Sequence, residues 1–446
     1  MLKLQRKMQG KIKHQPQIDL FKVPLSQIVS SKQPIVGLTH RIKWDEIEKE
    51  FGKYYSENGR PSVPTRTMVG LLLLKSMFSV ADEVLIPSWI QNPYWQYFCG
   101  EQYFRDTGPC DPSDLVHFRN RIGKEGTEFI LKQSVLMHGK DALEESILID
   151  TTVQEKDTTF PTDAKLYQAV MKQCWRIAKS NHIKLHQSFR FLLKQQRLIV
   201  RFINQPNKRK LAVKAIKKIK GYAGKLLKEI KRKLPVQTLI EMQESIALFE
   251  KVLRQKRGDI NKIYSLHEPH IYCIAKGKDH KKYEFGIKAS IALTKESGII
   301  VAATTFETNT HDVYTLEQTL DQVFYTTGQL PKEAICDRGY RGKTKIAETK
   351  ISIPKPIAKD ASKREILNVK EKFRRRAAIE PIIGHLKFDH RMLRNHLKGI
   401  QGDFINCALA AAGFNLKKML RKIAFSLTQW LGLCLLNFYA RRKMAF

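Results

Sequence analysis

At Ser146 the hydrophobic period of the chain changes from that of helices to that of a sheet. Upstream, from about residue 30 to 135, apolar residues recur at helical spacing. Thr65 or Thr67 is placed to cap MVGLLLLKSMFSV, Pro87 to start or kink the next element, and NPYWQYFCG packs four aromatics between Asn92 and Gly100. In CDPSDLVHFRNRIGKEG, Ser113 is the expected cap, with Phe118 on one side and Arg119 and Arg121 exposed. SILIDTTV then reads as a short buried central strand ending near Asp150. Strand-like sequence returns only after residue 282. There YEFGIKASIALT and IIVAATTF predict a hairpin turning at Lys295 to Gly298, then a helix from about Asp312 to Thr326 and a short strand EAICD ending at Asp337. Gly339 and Gly342 break the chain just after it. Strand, hairpin, helix, strand and helix in that order predict an α/β fold built on a mixed sheet.

Between the first strand and the hairpin lie about a hundred residues, 164–263, that are helical in pattern and very basic. From Lys208 to Lys233 there are twelve Lys/Arg and one acid, Glu229. Such a run is either a solvated face or a contact with a phosphate backbone, and Gly221 and Gly224 are expected to interrupt its helix. The whole chain carries 79 Lys+Arg against 43 Asp+Glu, a net charge of +36, so a nucleic-acid partner is the first physical reading and a merely basic protein the second. With 42% hydrophobic residues the chain can bury several cores. The expected partition is a helical N-terminal DNA-binding domain over 1–138, a catalytic domain over 139–163 and 264–400, the basic helical insertion over 164–263, and a helical tail over 401–446.

Seven scattered cysteines with no CxxC pair fit reduced thiols in a cytoplasmic compartment and offer no zinc motif. MLKLQRKMQGKIKHQ lacks the apolar core of a secretory signal. Ile423 to Ala440 includes Ser426, Thr428, Gln429 and Asn437, which favours a packed or interfacial helix over a membrane anchor, and no membrane partner is expected.

Chemistry is carried by three acids. In FRRRAAIEPIIGHLK the run Phe373-x2-Arg376-x3-Glu380-x6-Lys387 places four side chains within an arc of about 60° on a regular helix, although Pro381 threatens that helix with a kink or a fresh start. Asp150 and Asp337 close two strands, and neighbouring strands bring their ends together. Carboxylates so grouped suit Mg2+, which takes oxygen ligands and few carboxylates, and support in-line displacement at phosphorus. Taken singly, each acid has a plainer role: turn chemistry for the aspartates, and an ion pair with Arg376 for Glu380. Asp312, after His311, reads as a helix cap. His385, His390 and His396 lack the spacing of a zinc site, and Lys276, Lys278, Lys281 and Lys282 before the hairpin are placed to track phosphates.

The run from Phe373 to Lys387 resembles the Y-x2-R-x3-E-x6-K signature of bacterial insertion-sequence transposases of the DDE type, with Phe373 where that family usually has Tyr. ILIDTT at 147–152 and CDRGYRGK at 336–343 resemble its two aspartate segments. NPYWQYFCG and GIQGDFINCALAAAGFNLKKML extend the likeness, which is greatest to insertion-sequence family five and covers about residues 40–420. The resemblance implies an RNase H-like catalytic domain and divalent-metal DNA cleavage and strand transfer at terminal inverted repeats. It assigns the metal to Asp150, Asp337 and Glu380, with Mg2+ as the ion and Mn2+ able to substitute. Arg376, Lys387, Arg338, Lys281 and Lys282 become DNA contacts. Double-stranded repeat and target DNA are the implied partners, for a homodimer or larger assembly in the bacterial cytoplasm at the nucleoid. The loss of the tyrosine hydroxyl at Phe373 removes one phosphate contact. The alternatives are a nuclease of the same fold that cuts without joining and an inert DNA-binding relic.

Overall fold

The computed structural model describes residues 9–10, 12, 22–56, 58, 62–256, 258–278, 281–354 and 362–443, leaving aside the side chains of 276–278, 281, 368–369, 372 and 427–443. The chain forms two compact units, one of residues 1–154, 288–306 and 310–446, the other of residues 155–287 and 307–309. Two of the boundaries fall inside strands.

In the first unit helices α1 (Leu25–Ile28), α2 (Pro34–Arg41), α3 (Trp44–Phe51), α4 (Thr65–Phe78), α5 (Asp82–Gln91), α6 (Pro93–Phe98) and α7 (Pro112–Leu136) lead into strand β1 (Ser146–Lys156). Asn92 caps α6, its Oδ1 accepting from the Tyr94 and Trp95 amides. The other expected caps are displaced. Pro64 precedes α4, with Thr65 as its first residue, and α7 starts from a capping box of Asp111 and Asp114, not from Ser113. Arg119 is also not exposed: it is 3% accessible and grips Asp82 through Nη2–Oδ2 (2.7 Å) and Nη1–Oδ1 (3.2 Å), because α5 packs across α7.

The second unit holds α8 (Asp163–Ser180), α9 (Arg190–Val200), α10 (Pro206–Lys233), α11 (Val236–Glu241), α12 (Gln243–Arg254), strand β2 (Tyr272–Lys278) and the first half of β3 (Lys281–Thr294). Its own core joins Val170, Met171 and Cys174 of α8 to Ile219, Ala223, Leu226 and Ile230 of α10 and Phe249 and Val252 of α12. The buried pair Lys156 Nζ–Glu268 Oε2 (3.3 Å) belongs to it, and β2 pairs antiparallel with β3, Tyr272 opposite Gly286. Contrary to expectation, Gly221 and Gly224 do not interrupt α10, which runs unbroken for 28 residues because its apolar face is seated on three neighbouring helices.

Back in the first unit, β3 turns into β4 (Ile300–Phe306) as the expected antiparallel hairpin, Ser290 opposite Thr304. There follow α13 (Leu316–Thr327), β5 (Glu333–Ile335), β6 (Lys345–Ile346), β7 (Thr349–Ser352), α14 (Lys363–Arg374), α15 (Ile379–Asp389), β8 (Arg394–Asn395) and α16 (Gly399–Lys443). The sheet of this unit runs β3-β1-β5-β7-β6, with β4 on β3 and β8 on β1. Strands β1, β5 and β7 are mutually parallel. One face, through Ile147, Ile149, Ala334 and Cys336, joins the large core with α4, α7, α13 and α16. The other, through Leu148, Leu293 and Ile335, is covered by Ile379 and by Phe373, Ile382 and Ile383.

The C-terminal segment to residue 423 is packed, not a detached tail. Buried Asn415 of α16 bonds the Ile300 amide (3.0 Å) and carbonyl (2.8 Å) and Ser134 Oγ (3.2 Å), closing the helix over the edge of β4. Among the described residues no helix is long and apolar enough to cross a membrane. Most of the apolar stretch 423–440 has side chains outside the described set.

Candidate active site

The parallel ladder of β1 and β5 places Ser146 beside Glu333, Ile147 beside Ala334 and Leu148 beside Ile335. Asp150 and Asp337 each lie two residues beyond the last pair of this ladder, Leu148 with Ile335, on segments that run side by side up to that point. The ladder is continued on the far side of β5, where the Cys336 amide donates to Ser352 O (2.9 Å), and Asp337 remains extended (φ −83°, ψ −177°). Asp150 does not end its strand as expected. β1 runs on to Lys156, and what ends after Leu148 is its pairing with β5.

Side chains alternate along a strand, so Asp150 shares a face with Leu148 and Asp337 with Ile335. That face is the one on which Ile379 is seated. Glu380 therefore follows a residue anchored two positions upstream of each aspartate. Glu380 lies in the first turn of α15, where the helix dipole favours a carboxylate, and it is 68% exposed with Arg376 Nη2 at 3.8 Å. The four-residue stripe is not on one regular helix. Phe373 lies in α14, Arg376 in a 3-10 turn over Arg375–Ala378, and Glu380 and Lys387 in α15. Pro381 is the third residue of α15, so the chain makes the fresh start that proline permits near a helix N-terminus.

The neighbours of the aspartates tie them down. Asp150 Oδ1 accepts the Thr151 amide (2.8 Å), and Asp337 Oδ1 accepts the Gly339 amide (2.7 Å), an Asx turn that opens the short 3-10 segment Arg338–Tyr340. A third carboxylate, Asp312, joins them. A β-carbon at Gly339 would lie 3.0 Å from Asp337 Oδ1 and 3.1 Å from Asp312 Oδ2, so these two oxygens flank the glycine and stand no more than about 6 Å apart. Asp312 Oδ1 accepts Thr151 Oγ1–H at 2.9 Å and Lys288 Nζ at 2.8 Å. Asp312 is thus no cap: it links the residue after Asp150 to the turn after Asp337. No local sequence signal reveals this, because the link exists only once β1, β3 and the Asp312 turn are assembled.

Tyr340 lies beneath the group, fully buried, and its hydroxyl has no hydrogen-bond partner. Burial pushes its phenol well above the usual range, and the Cys336 thiol and the charges of Asp150, Asp312 and Asp337 push the same way. Burial likewise raises Cys336, helped by Asp337 and Asp150 and opposed by Arg376, which sets that guanidinium near the same cluster. Arg338 is exposed, Lys387 is half-buried, Lys282 is exposed on β3, and the Lys281 side chain lies outside the described residues.

Two aspartates carried just past paired strands are the donor type that fits one hard divalent ion, which takes one or two carboxylates and completes its shell with water and phosphate oxygen. Among the described residues no group of three or more His, Cys, Asp or Glu is close enough to hold a metal by itself, so Glu380 is not gathered with the aspartates in this arrangement. Of the histidines, His390 is buried with Nδ1 donating to Ser76 O (2.8 Å), and His385 pairs with Asp389.

Residues 23–121 match the transposase domain described as DUF772, and residues 265–416 match the Transposase DDE domain. A Rhizobium meliloti protein described as uncharacterized protein ORF8 in the nfe locus is 40% identical over 182 residues, which is 40% of this chain and 88% of that protein. No solved structure matches the chain. The DDE match runs through Asp312, Asp337, Arg376 and Glu380, and Asp150 lies outside both matched segments. The chain belongs to the insertion-sequence transposases with a DDE domain, DNA-binding enzymes that work with divalent metal ions.

Proposed function

We propose that this transposase cleaves DNA at the terminal inverted repeats of an insertion sequence of family five and joins the ends to target DNA, using an RNase H-like domain built on the mixed sheet. The observation that carries the reading is the parallel pairing of β1 and β5 up to Leu148 and Ile335, two residues before Asp150 and Asp337, with Ile379 at the start of α15 packed in the same cluster as both. Asp150, Asp337 and Glu380 would hold the ion, Mg2+ with Mn2+ able to substitute. For Glu380 this means leaving its long contact with Arg376. When bound, the ion acidifies the attacking water or 3′-hydroxyl and stabilises the leaving oxygen. The residues of the chain do the rest. Thr151 and Gly339 amides fix the two aspartates, while Arg376, Lys387, Arg338, Lys281 and Lys282 hold phosphates. Because two element ends must be held together, the working form is a homodimer or larger on DNA.

The test is a duplex carrying the element's ends, incubated with the protein and Mg2+ and resolved for nicked and joined products. Asp150→Asn, Asp337→Asn and Glu380→Gln are each expected to lower cleavage at least about 100-fold while leaving DNA retention intact. Continued cutting by Asp150→Asn would overturn the assignment of the first acid, and cut ends that never join would reduce the protein to a nuclease.

A further inference from the structure

The unbroken helix α10 presents a ladder of cations that no part of the second unit uses. Lys210, Lys214, Lys217, Lys225, Lys228 and Arg232 are all exposed, and at about 100° per residue they fall within an arc of about 80°. The buried residues Ala215, Ile219, Ala223, Leu226 and Ile230 lie on the opposite side of the helix. From Lys210 to Arg232 the ladder spans 22 residues, about 33 Å at 1.5 Å per residue, which is close to one turn of duplex DNA at about 34 Å.

The cations have no acidic partners among the described residues. The one acid of α10, Glu229, is taken by Lys233 at 2.7 Å, and Glu250 of α12 is taken by Lys231 and Arg254. Like charges three and four residues apart repel, so the ladder weakens the helix that carries it. A second oddity lies in the same stripe. Gly221 sits at its centre and Gly224 beside it, and a β-carbon at either would meet nothing within 4 Å. Packing therefore does not require glycine there, and glycine is a poor helix former. What the two glycines provide is a flat stretch in mid-ladder where another backbone can come close.

We propose that this face of α10 is a sequence-independent docking surface for the sugar-phosphate backbone of duplex DNA, the ladder pairing with phosphates and Gly221 marking the point of nearest approach. It rests on the family's binding of DNA and not on the cleavage reading. The test therefore uses duplex of about 40 base pairs without element ends and without divalent metal.

Fluorescence anisotropy of the full chain with this duplex, over a series of salt concentrations, is the measurement. The variant Lys214→Gln/Lys217→Gln/Lys225→Gln/Lys228→Gln is expected to lower the slope of log K against log salt by about 2 to 4, near 0.9 for each phosphate no longer neutralised, and to weaken binding at least about 10-fold at low salt. Its melting temperature should hold or rise, since mutual repulsion is relieved. Gly221→Leu keeps every charge and favours the helix, yet should weaken binding at least about threefold. Unchanged affinity and slope in the lysine variant would overturn the proposal, and unchanged affinity in Gly221→Leu would overturn the close approach.

Discussion

Lys288 Nζ and Asp312 Oδ1 stand 2.8 Å apart, with Lys288 12% and Asp312 28% exposed, and the same oxygen receives Thr151 Oγ1–H. The pair ties β3 to the turn that faces Asp337, and the Thr151 bond adds the strand bearing Asp150. Removing either partner leaves a mostly buried charge without its counterion, and each of Asp312→Ala and Lys288→Met should lower the unfolding free energy by about 2 kcal/mol. In urea titrations the double variant should lose less than the two single losses combined. Strict additivity would show that the two are not coupled.

Asp82 is shared by Lys75 Nζ (2.6 Å) and Arg119 Nη2 (2.7 Å), joining α4, α5 and α7. Burial drives its carboxyl up, but the two cations prevail and hold it below the usual range, while burial brings Lys75 down to about 8. Asp82→Asn strands two cations in the interior and should cost about 3–5 kcal/mol, read as a shift of the urea midpoint. A loss under 1 kcal/mol would mean that water reaches the cluster.

His390 makes stability depend on pH. Burial depresses its imidazole from 6.5 to about 4, against the opposing pull of its bond to Ser76 O. A base with a lowered folded pKa is neutral in the fold and takes up a proton more readily when unfolded. Its contribution is therefore fully present above about 6.5 and is lost as pH falls from there through about 4, by on the order of 3 kcal/mol. His390→Phe should flatten the unfolding free energy over that window. An unchanged slope between pH 6.5 and 4 would place the dependence elsewhere.

Tyr340 keeps a hydroxyl in the interior with no partner, next to three carboxylates. Tyr340→Phe removes an unsatisfied polar group and leaves the ring packing alone, so stability should rise by about 1 kcal/mol, visible as a higher melting temperature by calorimetry. A lower melting temperature would show that the hydroxyl is bonded in solution.

Local pattern alone determined a good deal. The β-branched run at Ser146, the turn at Lys295 to Gly298 and the helix before EAICD each carry their period within a few residues and form at those segments, but the ends differ: β1 runs past Asp150 to Lys156, and β5 stops at Ile335, short of the expected Asp337. The acids Asp150, Asp337 and Glu380 were legible as types in a spacing, and Pro381 signalled the break in the helix. Only the tertiary structure decided the rest, because each remaining feature is a relation between distant segments. The side-by-side placement of the segments leading to Asp150 and Asp337 follows from β1–β5 pairing, the burial of Arg119 from α5 crossing α7, and the site of Asp312 from a lysine on β3 and a threonine on β1. The continuity of α10 through two glycines likewise comes from packing on its neighbours, an energy that outweighs local helix propensity and leaves no trace in the residues on either side.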